Sequence, residues 1–258
     1  MSFLSVQSVY HAFFTQKEAT LVLANISLDI KEGEFVSFLG PSGCGKTTLL
    51  SILSGLLKPI DGAVLLEGKQ VEAPTAGIGY MLQQDYLFPW KTIEENILIG
   101  LKIMGSYNEQ TQKESLRLLE QVGLKGVEKM HPRQLSGGMR QRVSLVRTLI
   151  TNPKLLLLDE PFSALDYQTK LKLEELVYSL LKQYQKTSVL VTHDIEEAIA
   201  MSDRIVLLHP KPGRIAKVIS VPDEIRSLPP FQARQRPEFT KLFQVVWKEF
   251  EHLEVQKS

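Results

Sequence analysis

The period of apolar and polar positions changes along this chain. Residues 1–7 and 21–30 alternate as strands with one buried face do, and Lys31-Glu32-Gly33-Glu34 reads as a turn. Phe35-Val36-Ser37-Phe38-Leu39 is a short apolar run that stops at Gly40, and residues 47–53 then take helical spacing up to Gly55. Further strands are expected at 63–67 and 78–83. From about residue 85 to 152 the pattern is helical. Thr92 is placed to cap a helix that starts at Ile93 with Glu94 and Glu95 in its first turn. Leu116, Leu119 and Val122 mark a second helix over 109–122, and a third over 139–150 is halted by Asn152-Pro153.

The strand pattern returns with Leu155-Leu156-Leu157-Leu158, an unbroken apolar run of the kind buried on both faces of a parallel sheet. A helix over 167–185, a strand over 188–191, a short helix over 194–201 and a strand over 205–208 complete the alternation. Prolines 210, 212, 222, 229 and 230 cut the following stretch into extended and turn segments. Phe239, Leu242, Phe243, Val246, Trp247, Phe250 and Leu253 then share one face of a final helix, with Pro237 in its first turn; that face is expected to pack on its own domain. Alternating strands and helices predict an α/β fold with a mostly parallel sheet core, an N-terminal antiparallel β portion and an inserted helical subdomain. Residues 1–84 and 153–220 form the expected core, 85–152 the helical insertion and 221–258 a C-terminal extension.

Composition narrows the function. A net charge of +1 offers no general attraction to nucleic acid or anionic lipid, so no nucleic-acid partner is expected. One cysteine excludes an internal disulfide and suits a reducing compartment. No stretch approaches the roughly 20 apolar residues of a membrane helix, and the start lacks the layout of a signal peptide. A cytoplasmic protein is expected, with any membrane association arising by docking on a partner. Five scattered histidines and one cysteine form no metal-ligand cluster.

Gly40-Pro41-Ser42-Gly43-Cys44-Gly45-Lys46-Thr47 lies between a strand and a helix, as a phosphate loop must. Its glycines let backbone N–H groups turn around phosphates, and the helix N-terminus adds positive potential. Lys46 is expected to neutralise the β/γ-phosphates and the Thr47 hydroxyl to ligate Mg²⁺, while Thr48 supports the first turn. Cys44 reads most simply as a small residue in a tight loop. Asp159, at the end of the buried leucine run, is a candidate Mg²⁺ ligand, and Glu160 is positioned to orient or deprotonate the attacking water. His193 closes the next strand on the same sheet edge, within reach of a γ-phosphate. Leu135-Ser136-Gly137-Gly138-Met139 precedes a helix and forms a second potential anion-binding start, about 90 residues after the first. A plain capped helix would explain it alone; two such starts in one chain suggest that one serves a nucleotide held by another subunit.

With these pieces in order, the chain resembles the nucleotide-binding subunit of an ATP-binding cassette transporter. The phosphate loop, Gln83, the Leu-Ser-Gly-Gly signature, Leu-Leu-Asp-Glu, Ser163-Ala164-Leu165-Asp166 and His193 all occur in that family. The resemblance implies a phosphate-loop (RecA-like) core, ATP and Mg²⁺ as ligands, and a head-to-tail dimer sandwiching two ATP molecules. Ser136, Gly137 and Gly138 of one subunit would meet the γ-phosphate bound by the other. Gln83 would sense Mg²⁺ beside the transporter contact, and Asp166 would link the two sites. Phe13 resembles the aromatic residue that stacks on adenine, with Phe14 and Tyr10 as competitors. Lys46, Glu160 and His193 carry the implied catalysis. Met139 and Leu87-Phe88-Pro89-Trp90 are similar to importers of sulfonates, taurine, nitrate and related compounds; a thiamine-precursor-like solute also fits. The implied partners are a second copy, membrane permease subunits and, indirectly, a solute-binding protein, with the chain on the cytoplasmic side of the membrane. Ending about 40 residues past the expected core, the chain is not expected to carry the added β-rich regulatory domain of sugar-importer relatives. A soluble cassette ATPase of DNA repair or translation and a nucleotide-gated scaffold without hydrolysis are the alternatives; Glu160 and His193 argue against the second.

Overall fold

The computed structural model describes residues 2–255 other than 17 and 164; Ala164, part of the Ser-Ala-Leu-Asp motif, therefore lies outside the described residues. In chain order the strands and helices are β1 (Leu4–Phe14), β2 (Ala19–Ile30), β3 (Phe35–Leu39), α1 (Lys46–Leu53), β4 (Asp61–Leu66), β5 (Lys69–Gln70) and β6 (Ile78–Met81). Then come α2 (Ile93–Ile103), α3 (Glu109–Gln121), α4 (Gly137–Leu149), β7 (Leu155–Asp159), α5 (Tyr167–Gln183), β8 (Thr187–Thr192), α6 (Ile195–Met201) and β9 (Arg204–His209). The chain closes with β10 (Arg214–Ser220), α7 (Asp223–Arg226), α8 (Pro230–Ala233) and α9 (Pro237–Val255).

Two sheets result. One is antiparallel in the order β2-β1-β4-β5; the other runs β10-β9-β3-β8-β7-β6, parallel except at the β9/β10 pair. Every residue of β3, β7 and β8 is buried, which is why these strands read as apolar runs rather than alternations. Leu155, Leu156, Leu157 and Leu158 have no exposed surface, and each such side chain contributes roughly 1.5–3 kcal/mol by burial. The parallel register aligns Leu39 with Thr192, Asp159 with Val191 and Met81 with Leu158. The residues that follow these strands, Gly40, His193, Glu160 and Gln83, therefore emerge along one edge, where ligands of such sheets bind.

The helical stretch has its own apolar cluster, drawn from Leu87, Ile93, Ile97, Leu119, Val143, Val146 and their neighbours. Its helices start where local chemistry dictates. Thr92 and Glu95 form a reciprocal capping box on α2, and Asn108 and Thr111 form another on α3. The third helix begins at Gly137, two residues before the expected start, with Ser136 as its cap.

Past β9, the stretch that sequence reasoning leaves as extended and turn segments contains a true strand. β10 pairs antiparallel with β9, yet of its apolar residues only Ile219 is buried, so as an edge strand it shows little periodic signal. α9 turns Phe239, Leu242, Val246 and Leu253 onto Ile195, Ile199 and Ile225, so its apolar face is packed within the chain. Trp247 stays half exposed, stacked on Phe243 with ring centroids 6.0 Å apart.

Candidate functional site

The loop from Gly40 to Gly45 wraps the side chain of Lys46. The buried Lys46 ammonium donates to the carbonyls of Gly40 at 2.6 Å and Pro41 at 3.1 Å. Gly45, the cap of α1, has φ +92, a conformation that glycine alone enters freely, and a Cβ there would lie 2.6 Å from Leu23. Cys44 is fully buried with Sγ 3.7 Å from the Lys46 ammonium. Burial pushes its thiol above the ordinary range despite that cation, which keeps it protonated and makes it a packing residue. Gly213 is a support that sequence reasoning missed. It bonds to β2 on both sides, and a Cβ on it would lie 2.2 Å from the Cys44 carbonyl. Only a glycine in a proline-rich turn hinted at it.

Asp159 is 1% exposed and lies beside the loop. Thr47 donates to its Oδ1 at 3.3 Å and Tyr80 to its Oδ2 at 3.4 Å. Burial raises its pKa, the neighbouring Glu160 charge adds to this, and the two hydroxyls oppose it. Burial and the Asp159 charge also hold the Tyr80 hydroxyl above the ordinary phenol range, so it remains a donor. Tyr80 was not foreseen, since a tyrosine in a strand carries no signal of a carboxylate partner. A buried carboxylate whose hydrogen bonds all come from neutral hydroxyls can accept a hard cation. With the Thr47 hydroxyl and the Gln83 amide oxygen, the donor set is all oxygen with a single carboxylate, and it suits Mg²⁺, which is held through one or two carboxylates and completes its shell with phosphates and water.

Glu160 adopts φ 48, an uncommon conformation for a residue with a side chain, and its N–H bonds back to Val191 at 2.9 Å. Its carboxylate sits between two groups from other elements. His193 Nδ1 is 3.3 Å from Oε1, and Gln83 Nε2 donates to Oε2 at 3.2 Å. Lys46, Thr47, Gln83, Asp159, Glu160 and His193 are thus joined through side-chain or loop contacts at one sheet edge.

The remaining candidates lie elsewhere. Ser136 accepts from the Met139 N–H at 3.3 Å and caps α4; among the described residues no hydrogen bond or ion pair joins it to the phosphate loop. Ser136 and Gly137 are exposed, and Gly138 packs so close to Leu165 that a Cβ would come within 2.7 Å. Asp166 is exposed and caps α5 through the Thr169 N–H at 3.0 Å. On β1, His11 pairs with Leu23, whose side chain meets Gly45, and the Phe13 ring sits edge-on to His11 at 4.9 Å. Phe13 therefore shares the phosphate-loop face of its sheet, whereas Tyr10, Ala12 and Phe14 line the opposite face with Leu21 and Ile60.

The loop after Gln83 is tied to α4. Arg140 pairs with the Asp85 carboxylate at 2.9 Å, and Arg147 donates to the carbonyls of Asp85 at 2.6 Å and Tyr86 at 2.9 Å. Buried Asn96 accepts from the Phe88 N–H and donates to the Phe88, Lys91 and Thr92 carbonyls, while Trp90 at the tip is 71% exposed. None of Asp85, Asn96, Arg140 and Arg147 was singled out from the sequence, because surface charges and a helical asparagine are ordinary there.

Comparison with known proteins identifies the family of the chain. The family described as ABC transporter matches residues 23–163. The chain is 58% identical over 257 residues to the uncharacterized ABC transporter ATP-binding protein YtlC of Bacillus subtilis, covering all of this chain and 99% of that one. It is 40% identical over 249 residues to the aliphatic sulfonates import ATP-binding protein SsuB of Bacillus cereus, with 96% of each chain covered. The dimeric structure of a post-hydrolysis state of the ATP-binding cassette MJ0796 bound to ADP and Pi superposes with a TM-score of 0.77 at 33% identity. That match covers 85% of this chain and 99% of the other.

Proposed function

The chain belongs to the ABC transporter family of ATP-binding, ATP-hydrolysing subunits, and from that premise we propose that it powers a membrane importer by ATP-driven closure of a homodimer. The observation that carries this reading is the Glu160 carboxylate held between His193 and Gln83 beside the phosphate loop. In the proposed cycle the loop N–H groups and Lys46 hold the phosphates, Lys46 exchanging its carbonyl partners for phosphate oxygens. Phe13 stacks on adenine. Thr47, Asp159 and Gln83 would hold Mg²⁺, which when bound would neutralise charge on the phosphates. Glu160 takes a proton from the attacking water, and His193 donates a hydrogen bond to the γ-phosphate.

Ser136, Gly137 and Gly138 serve the ATP of the second subunit, which accounts for an exposed helix start detached from the chain's own loop. Asp166 reaches across the same interface. Hydrolysis removes the bridging phosphate and reopens the dimer, a shift of population between two states. The motion passes through the Phe88-Pro89-Trp90 tip, braced by Asn96 and the two arginines of α4, to permease subunits on the cytoplasmic side of the membrane. No helix among the described residues is long and apolar enough to cross a membrane. Relatives named for aliphatic sulfonate import support a small sulfonate or related solute; its delivery by a separate solute-binding protein is part of the proposal.

Glu160→Gln tests the central claim. It keeps ATP binding, lowers phosphate release by ~10²–10⁴-fold and accumulates as a dimer at saturating MgATP. A monomer by light scattering under those conditions overturns the sandwich.

A further inference from the structure

The His193 side chain is 60% exposed and its ring touches Glu160, so the backbone of residues 192–194 sets its direction. Charges behind the turn fix that backbone. The Thr192 hydroxyl bonds to the Glu197 carboxylate and accepts from the Asp194 N–H at 3.0 Å. Asp194 in turn accepts from the Glu197 N–H at 3.1 Å and, on its other oxygen, from the Lys170 ammonium at 2.6 Å.

Lys170 comes from α5, four residues after the Asp166 cap, and its side chain is 16% exposed. Its ammonium also lies 3.8 Å from both Glu174 and Glu197. Glu174 is fully buried and pairs with Arg234, just past α8, at 2.6 Å; Arg234 lies 3.9 Å from Glu196. Two cations thus serve four carboxylates. Glu174 Oε1, Glu197 Oε1 and Arg234 Nε have no hydrogen-bond partner among the described residues. A buried network left partly unsatisfied responds to any change in one member, because low dielectric strengthens every remaining interaction.

We propose that Lys170 is a positioning residue for His193, and that Arg234, through Glu174, joins the C-terminal segment to the same turn. The inference rests on His193 contacting the γ-phosphate. It makes the direction of the imidazole depend on one ammonium clamped to Asp194, and it places α5 and the segment after β10 in mechanical contact with the catalytic edge.

The test uses the full chain and reads kcat, KM for ATP and the His193 ring resonance, identified as the one lost in His193→Gln. Lys170→Met is expected to lower kcat ~10–100-fold, the scale of a misplaced catalytic group, with KM nearly unchanged and the His193 resonance moved. Lys170→Arg restores most of the rate. The paired Glu174→Met, Arg234→Met variant, in which apolar side chains replace a buried ion pair and folding is preserved, shows a smaller change of the same sign. If Lys170→Met does not fold, Asp194→Asn cuts the same link at a partly exposed site. Lowered thermal stability with kcat and the resonance unchanged overturns the inference. A His193→Gln enzyme of full activity instead refutes the γ-phosphate role, while the resonance in Lys170→Met still reports whether Lys170 positions the ring.

Discussion

Glu160 and His193 stand 3.3 Å apart, Oε1 to Nδ1, each just past the carboxyl end of one of two adjacent parallel strands. The contact depends on the register that pairs Asp159 with Val191 and on the φ of 48 at Glu160, which turns the carboxylate along the sheet edge. Gln83 holds the other oxygen from the next strand out. A carboxylate flanked by two such groups keeps one orientation before substrate arrives, and for the proposed general base preorganisation of that kind is a large part of hydrolytic catalysis.

Phe13 and Phe14 lie on opposite faces of the N-terminal sheet. Phe13→Ala is expected to weaken ATP binding by about 1–3 kcal/mol, the scale of a base–aromatic stack. Phe14→Ala should leave binding within about twofold. Titration with a fluorescent adenine nucleotide compares them, and the reverse order would move the adenine to the other face.

Ser136→Asp separates capping from nucleotide contact. Aspartate caps a helix about as well as serine, so the melting temperature should hold. Its charge would oppose the partner's γ-phosphate, so ATP-dependent dimerisation should be lost in a Glu160→Gln background. Light scattering with and without MgATP reads the outcome.

Removing the metal should stop turnover and leave the fold intact. EDTA is expected to abolish phosphate release, with recovery on adding Mg²⁺. Asp159→Asn should raise the Mg²⁺ concentration needed for half-maximal activity. Unchanged Mg²⁺ dependence in that variant would remove Asp159 from the metal site.

Glu197 supplies a pH signature. Burial raises its pKa from 4.5 to about 7, opposed by Lys170 and the Thr192 hydroxyl and reinforced by Glu174 and Asp194. The folded state therefore holds this proton more tightly than the unfolded chain. The associated stability is present below about pH 4.5 and is lost as pH rises through 7. Glu197→Gln should remove that decline, so the variant's melting temperature gains on wild type between pH 5 and pH 8 at roughly constant ionic strength. Parallel curves for the two proteins would show that Glu197 is ionised in the fold throughout.

Much of this architecture is legible in the sequence because its causes are local. β3 and β7 are apolar runs because they are buried on both faces, and the phosphate loop shows its glycines because backbone N–H groups must close around phosphates. Thr92 and Ser136 mark helix starts because a short side chain must satisfy orphan N–H groups. β10 stayed hidden for the complementary reason, since an edge strand with one buried apolar side chain has almost no period to read.

The tertiary structure decided which distant side chains meet. Tyr80 with Asp159, Arg147 with the Asp85 carbonyl, Lys170 with Asp194 and Arg234 with Glu174 are pairs set by packing between elements, and their residue types are common on any surface. The phosphate loop, its acidic strand end and the signature serine were determined by the sequence alone, because each is a demand of backbone geometry or of one short motif. The assembly of the phosphate loop and the acidic strand end into one edge, with His193 beside them, required the register of the parallel sheet. Strand register and the packing of helices on the sheet bring residues tens of positions apart within hydrogen-bond distance, and neither is written in a local pattern.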